Sequence, residues 1–178
     1  MRRSRIGPGV LLSVLELLAP TPALAQGWQT FRPQGGAFSV EMPATPVPST
    51  METTSFIGTV TDHVYTATLG QAQFAVTWSK LPGYVLDFTP VDALFDHARA
   101  ALLKQIYGRQ VSWGPVEADG RSGRRLVYQL PPVPGKAAAT GEARFFLVQD
   151  RIYSAAAIVP SQAGEPDAQR FLDSLGID

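Results

Sequence analysis

Residues 89–108 (TPVDALFDHARAALLKQIYG) carry the clearest helical pattern in the chain, and the rest of the fold can be worked out from them. Thr89 and Pro90 predict an N-cap followed by a proline at the first helical position, and Gly108 predicts a left-handed C-cap. Apolar residues recur at steps of three and four along one stripe: Val91, Leu94, Phe95, Ala98, Leu102 and Ile106. The helix would be about 27 Å long. Because only one of its faces is apolar, we expect it to lie across a sheet.

The chain before this helix is predicted to be mostly extended. Residues 27–33 are predicted to be a short strand or a docking arm anchored by Trp28. Period-two alternation and turn residues indicate strands at residues 38–42, 53–69 (a hairpin) and 73–80. The prolines of residues 43–50 (PATPVPST) predict an extended connection that cannot pair as a central strand. Residues 81–88 (LPGYVLDF) are predicted to be the loop that leads into the helix.

The chain after this helix is predicted to form four more strands and a second helix. The strands are residues 110–116, 124–130, 143–148 and 151–159, and the helix is residues 166–175. The last two strands are apolar on both faces, which is typical of central strands covered on both sides. Because hairpin-length links dominate, we predict the α+β class. Its largely antiparallel sheet of about six to seven strands packs with one long central helix and a short C-terminal helix.

The first 25 residues have the pattern of a signal peptide. Arg2, Arg3 and Arg5 precede an apolar stretch, and Ala23 and Ala25 form a small-x-small cleavage site. The apolar stretch is shorter than the roughly 20 residues that a membrane span needs. We therefore expect cleavage after Ala25, a periplasmic or secreted location, and no stable membrane insertion after removal of the leader. Residues 26–178 would form a single domain.

Composition narrows the classes of partner and cofactor. Removing 25 residues from 178 leaves 153, with 12 basic and 14 acidic side chains in no cluster. This balance argues against a nucleic acid or an anionic membrane as the partner. The chain has no cysteine, which excludes disulfides, thiolate metal sites and a cysteine-linked lipid. We expect no cofactor.

The residues that carry acid–base chemistry form no recognisable catalytic motif. His63 and His97 are the only histidines, and neither has a second ligand at metal spacing. Asp92 and Asp96 lie one helical turn apart, which more often complements the helix dipole than forms a carboxylate pair. The sequence contains no G-x-S-x-G motif. We therefore predict no catalytic and no metal-binding residues, and a protein that is not an enzyme.

Five residues are candidates for contact with a partner. Tyr84 and Trp113 stand beside predicted loops, where an aromatic side chain can face a partner. Arg121, Arg124 and Arg125 belong to residues 120–125 (GRSGRR), which lack the lysine and the following helix of a phosphate-binding loop. The two interpretations of these arginines are a solvated polar turn and a weak anion site.

The layout resembles the PsbP-like group of proteins. The similarity rests on Trp28 near the start, on residues 38–46 (FSVEMPATP), on the amphipathic helix and on residues 170–175 (RFLDSL). This group shares its fold with a Ran-binding nuclear import factor and includes many exported bacterial proteins. The resemblance implies an antiparallel sheet between helices and mostly protein-binding or accessory roles, and it transfers no catalytic residue.

The predicted function is that of an exported, non-enzymatic accessory or interaction domain whose partner is another exported protein. One alternative is a small apolar ligand or lipid bound between the helix and the sheet, which requires a cavity of a few hundred cubic ångströms beneath the helix. A second, less favoured alternative is a hydrolase, which requires His63 to converge with buried carboxylates. An exposed aromatic patch near Tyr84 or Trp113 would favour the interaction domain.

Overall fold

The computed structural model describes residues 27–55, 58–132, 134, 138–160 and 166–178. The predicted signal peptide and its cleavage site lie outside these residues, so both stay predictions. The described residues form the following elements in chain order: β1 (Gln29–Phe31), β2 (Phe38–Met42), β3 (Val47–Ser55), β4 (Gly58–Leu69), β5 (Ala72–Lys80), α1 (Gly83–Phe88), α2 (Val91–Ile106), β6 (Arg109–Ala118), β7 (Arg121–Gln129), β8 (Ala139–Val148), β9 (Arg151–Pro160), α3 (Pro166–Asp173) and β10 (Gly176–Ile177).

A seven-stranded sheet is the centre of the molecule. Its strand order is β3-β4-β5-β9-β8-β7-β6, and every pair of neighbours is antiparallel. β9 occupies the middle position with β8 beside it, which agrees with the apolar character of both faces of these strands. A second sheet of three strands has the order β1-β2-β10. The predicted α+β class with a largely antiparallel sheet is therefore confirmed.

The small sheet and α3 cover one face of the large sheet. Phe38, Val40 and Met42 of β2 are buried against it, because alternation in a strand sends these residues to one side. From α3, Phe171 and Leu172 join the same core. Full burial of such side chains contributes about 1.5–3 kcal/mol each. The large sheet contributes Phe74, Val76, Phe146, Tyr153, Ala155 and Ala157.

The helices α1 and α2 lie on the opposite face. Leu94 and Phe95 are the two buried residues of α2, and Phe95 belongs to the same core cluster as Leu126 and Phe145 of the sheet. Ala98, Leu102 and Ile106 pack against that cluster and are partly buried. The predicted apolar stripe therefore does face the sheet, except at its first position, since Val91 is 47% exposed.

The structure corrects three local predictions. Residues 81–88 contain the helix α1 and are not a plain loop, because Val85 anchors a helical turn in the core. The residue that caps the start of α2 is Pro90, without a side-chain hydrogen bond, so Thr89 is not the N-cap. Tyr107, with φ of 54°, takes the left-handed C-cap position predicted for Gly108.

The proline-rich connection also pairs further than the sequence indicates. β3 begins at Val47 and includes Pro48, whereas pairing was expected only from residue 53. β3 is an edge strand, and an edge strand tolerates proline when the missing N–H would face solvent.

Candidate interaction surface

Exposed apolar side chains lie together in sequence where α1 leads into α2. Tyr84, Phe88 and Val91 are 56%, 84% and 47% exposed, and we call these three residues the α1 patch. Tyr84 and Phe88 are four positions apart in α1, so they share one face of that helix. The intervening Val85 is 1% exposed and fixes the helix to the core. The buried Val85 therefore turns both aromatic rings away from the core.

Acidic residues flank the α1 patch in sequence, and two of them, Asp92 and Asp96, are paired with Arg124 and Arg99. Residues 81–96 contain Asp87, Asp92 and Asp96 and no lysine or arginine. Asp87 is exposed, and the carboxylate of Asp92 accepts a hydrogen bond from the Arg124 guanidinium of β7. The sequence predicted Tyr84 as partner-facing and missed Phe88. The i, i+4 spacing of the two aromatics is the signal that could have identified it.

Trp113 is half-buried and partly covered. It lies on the same face of the sheet as α2, with its ring edge-on to Phe145 at 5.8 Å between centroids. The guanidinium of Arg99 from α2 lies 5.0 Å from the centre of the indole ring. The other two tryptophans are also stacked with arginines, Trp28 with Arg170 at 4.7 Å and Trp78 with Arg151 at 5.0 Å. Such cation–π contacts hold the indole rings against the protein itself.

The three candidate arginines do not converge. Successive side chains of a strand point to opposite faces, so Arg124 lies on the α2 face while Arg121 and Arg125 lie on the α3 face. Arg121 donates a hydrogen bond of 3.0 Å to the backbone carbonyl of Ile177. Arg125 forms an ion pair of 2.6 Å with Glu142. Each of the three guanidiniums is thus held by a group of the protein.

A chain of ion pairs connects β7, β8 and α3. The buried guanidinium of Arg144 donates to Glu142 at 3.0 Å and to Asp173 of α3 at 2.7 Å. Burial alone would raise the pKa of Glu142, but hydrogen bonds from Arg125 and Arg144 outweigh it and hold that pKa below its usual value. The pKa of Asp173 is lowered in the same way: burial alone would raise it, but hydrogen bonds from Gln169 and Arg144 outweigh that effect. Both carboxylates are therefore charged, and through Arg144 they connect β8 to α3.

His63 does not converge with carboxylates. Its ring stacks on Trp78 at 4.1 Å between centroids. The neighbouring Asp62 points to the other face of β4, where Thr53 and Ser79 donate hydrogen bonds to it. Within the described ranges, no group of three or more His, Asp or Glu residues could hold a metal ion. None of the helices in those ranges is long and apolar enough to cross a membrane.

A shallow surface depression, without an enclosed cavity, lies on the α3 side of the large sheet. It is lined by Ala118, Asp119, Arg121, Phe146, Leu175 and Ile177. The ligand-binding alternative requires a cavity beneath α2, and this depression lies on the opposite face of the sheet.

Comparison with solved structures finds a protein of similar architecture. The solution structure of cyanobacterial PsbP (CyanoP) from Synechocystis sp. PCC 6803 matches with a TM-score of 0.56 and 10% identity, covering 91% of this chain and 99% of that one. A Pseudomonas aeruginosa protein of unknown function, PA94, matches with a TM-score of 0.47 and 12% identity, over 85% and 97% of the two chains. No model of a protein family and no curated protein matches the sequence. The fold is therefore PsbP-like, as the sequence resemblance implied.

Proposed function

We propose that this protein is an exported, non-enzymatic accessory domain that binds another exported protein through the α1 patch. The observation that carries the proposal is the exposure of Phe88, at 84%, beside the 56% exposed Tyr84. Aromatic side chains on the surface are enriched where proteins bind one another, and they commonly supply most of the binding energy. A PsbP-like fold is compatible with an accessory role.

The polar residues of the described structure support a binding role over catalysis. His63 is stacked on Trp78, and the carboxylates of Glu142 and Asp173 are held by Arg144. Catalysis by a hydrolase needs a general base positioned near a second catalytic group, and these residues do not provide that arrangement. The three candidate arginines are engaged in the fold, so the proposal assigns the partner neither a phosphate nor a nucleic-acid backbone.

The chemistry of the α1 patch indicates what the partner presents. Two aromatic rings require an apolar counterpart, and the exposed carboxylate of Asp87 favours a lysine or arginine of the partner beside it. We therefore infer a partner surface with an apolar centre and a basic residue at its border. Electrostatic attraction of this kind raises the association rate and weakens as salt rises.

The test compares two variants in affinity purification from a periplasmic extract of the host. Phe88→Ser removes the most exposed ring of the α1 patch, and Tyr107→Asn removes an 82% exposed ring at the far end of α2. We expect one protein to be recovered with the wild type and with Tyr107→Asn. Its recovery with Phe88→Ser should fall by about thirtyfold, the effect of losing about 2 kcal/mol at a hot spot.

Two outcomes would count against the proposal. Equal recovery with all three proteins would show that the α1 patch is not the contact surface. Recovery of no protein, together with a small apolar molecule that copurifies in mass spectrometry, would favour the ligand-binding alternative. Circular dichroism of each variant checks that the fold is unchanged.

A further inference from the structure

The two edges of the large sheet differ. At one edge, β6 is interrupted by a register shift between Gln110 and Ser112 and contains Pro115. Bulges are one of the usual means of preventing an edge from pairing with another chain, and they distinguish the two edges here, since β3 also contains a proline, Pro48. At the other edge, β3 pairs with β4 over its whole length without a register shift. Within the described ranges β3 has no second neighbour in the sheet.

The register shows which backbone groups of β3 point away from the sheet. Leu69 and Ala72 flank a two-residue turn with Gly70 at φ of 60°, so they form a hydrogen-bonded pair. Hydrogen-bonded and non-hydrogen-bonded pairs alternate along an antiparallel strand. The odd-numbered residues of β4 therefore bond to β5, and its even-numbered residues bond to the odd-numbered residues of β3. The outward groups of β3 are therefore those of Pro48, Thr50, Glu52 and Thr54. Pro48 fits this assignment, because its missing N–H is one that β4 does not need.

The side chains of β3 are compatible with antiparallel pairing to a second copy of the same strand. Outside Pro48, its exposed positions carry mainly serine, threonine and methionine, with Glu52 as the single charge. Met51 is 42% exposed and lies on the α2 face of the sheet. Antiparallel Thr–Thr and Thr–Ser pairs are favourable, and like charges directly opposite each other are unfavourable. The position of Glu52 therefore selects among the registers that two identical strands can adopt.

We propose that two copies of this chain associate through antiparallel pairing of their β3 strands about a two-fold axis at Met51. In this register Thr50 of each copy lies opposite Glu52 of the other, and Ser49 lies opposite Thr53. The outward N–H groups of Thr50, Glu52 and Thr54 each meet a carbonyl of the second copy. A register centred on Glu52 would bring the two carboxylates together. One centred on Thr50 would place the donor-free Pro48 opposite Glu52.

The dimer is expected to be reversible. A single pair of edge strands buries less accessible surface than the roughly 1,600 Å² of a standard protein interface. The dimer should therefore dissociate into monomers on dilution. The proposal rests on the register of β3 and does not depend on the proposed function.

The absence of cysteine from the chain makes disulfide trapping unambiguous. Met51→Cys places two thiols at a directly opposed pair that is not hydrogen-bonded, with Cβ atoms about 4.5–5.5 Å apart. Ser49→Cys is the matched control, because its two copies would lie four residues apart, about 13 Å. With the purified protein under mild oxidation, we expect Met51→Cys to form covalent dimers at least about tenfold faster than Ser49→Cys, since paired thiols have a high effective concentration.

A second variant tests the backbone pairing without a new thiol. Thr50→Pro removes an outward N–H while leaving the bonds to β4, so the fold should persist and the concentration-dependent dimer seen in sedimentation should be lost. Equal trapping of Met51→Cys and Ser49→Cys would overturn the proposal, because it would indicate random collision. A wild-type protein that stays monomeric at millimolar concentration would overturn it as well.

Discussion

At the scale of single residues, two buried tyrosines of the large sheet differ in their hydrogen bonding. Tyr153 donates a hydrogen bond of 3.1 Å to the carbonyl of Gly36. The hydroxyl of Tyr128 is buried and has no hydrogen-bond partner among the described residues, and burial raises its pKa above the usual value, so it stays protonated. The Tyr128 ring lies where a side chain on Gly141 would be, so residue 141 must be glycine for this packing.

These tyrosines give a matched pair of stability measurements. Tyr128→Phe removes a buried hydroxyl that lacks a partner, so we expect the free energy of unfolding to stay unchanged or rise by up to about 1 kcal/mol. Tyr153→Phe removes the shorter of the two hydrogen bonds to the Gly36 carbonyl, the other coming from Arg151 at 3.3 Å, and should lower the free energy by about 1 kcal/mol. Urea denaturation measures both. Equal destabilisation by the two substitutions would show that the Tyr128 hydroxyl is bonded in solution.

Single-residue predictions from sequence succeeded where a local pattern determines the outcome. The alternation in β2 and β5 correctly placed Phe38, Val40 and Phe74 inside, because a strand with one covered face leaves little choice. The cation–π partner of Trp113 could not be foreseen, since Arg99 approaches it from α2 through tertiary packing. The exposure of Phe88 was missed for a related reason. Its direction depends on α1, and because residues 81–88 were predicted to be a loop, the i, i+4 spacing with Tyr84 was not interpreted as one helical face.

At the scale of elements, the ion pairs of Arg144 link α3 to the large sheet. Arg144 has a side-chain exposure of 8%, so its charge depends on Glu142 and Asp173 for compensation. Arg170 of α3 adds a second link by binding Glu41 of β2, and its hydrogen bond lowers the pKa of Glu41. α3 is therefore held by charge as well as by the burial of Phe171 and Leu172.

This link predicts a pH dependence of stability. The folded-state pKa of Glu142 lies below its ordinary value of 4.5, so its ionisation stabilises the fold above about pH 4.5. That contribution is lost as the pH falls through the lower, folded-state value. Glu142→Gln should cost about 3 kcal/mol at pH 7, because it leaves Arg144 partly uncompensated. The difference from the wild type should shrink towards pH 3.

Urea denaturation at pH 7 and at pH 3 measures the effect, with Glu117→Gln on an exposed position of β6 as the control. The control should stay within about 0.5 kcal/mol of the wild type at both pH values. A loss for Glu142→Gln that is the same at pH 3 and pH 7 would show that the carboxylate charge is not responsible.

The elements that could be predicted from the sequence are those with sufficient length and a clear periodicity. The helix α2, the hairpin of β8 and β9, and the helix α3 have strong patterns and were all found. The caps of α2 were wrong, because Pro90 and Tyr107 take positions that intrinsic preference assigns to Thr89 and Gly108. The split of Arg124 from Arg121 and Arg125 follows from strand alternation, and it was foreseeable once β7 was extended to Arg121.

At the scale of the whole molecule, the centre of the large sheet is covered on both sides and its edges are not. β9 has paired neighbours on both sides and contributes to cores on both faces. β3 is exposed at nearly all its described positions, and β6 is mostly exposed up to Ser112. The stability of individual hydrogen bonds should therefore fall from the middle of the sheet outwards.

Native-state hydrogen exchange tests this gradient. Amides of β8 and β9 should exchange only through global unfolding, with a free energy equal to that from urea denaturation. Amides of β6 near Val111 should exchange through local opening at a clearly lower free energy, because the register shift leaves the ladder incomplete there. Uniform protection across all seven strands would contradict the gradient and indicate a single cooperative unit.

The small sheet makes the fold depend on contacts between distant parts of the chain. β2 pairs with β10, and the backbone N–H of Glu41 binds the hydroxyl of Ser174, 133 positions later. Folds rich in such non-local contacts have a high contact order and fold slowly, on the scale of milliseconds to seconds, because the intervening loop must close first. Until α3 and β10 have been made, Phe38, Val40 and Met42 have only part of their native partners. A nascent chain therefore completes this core only after its last elements have been made.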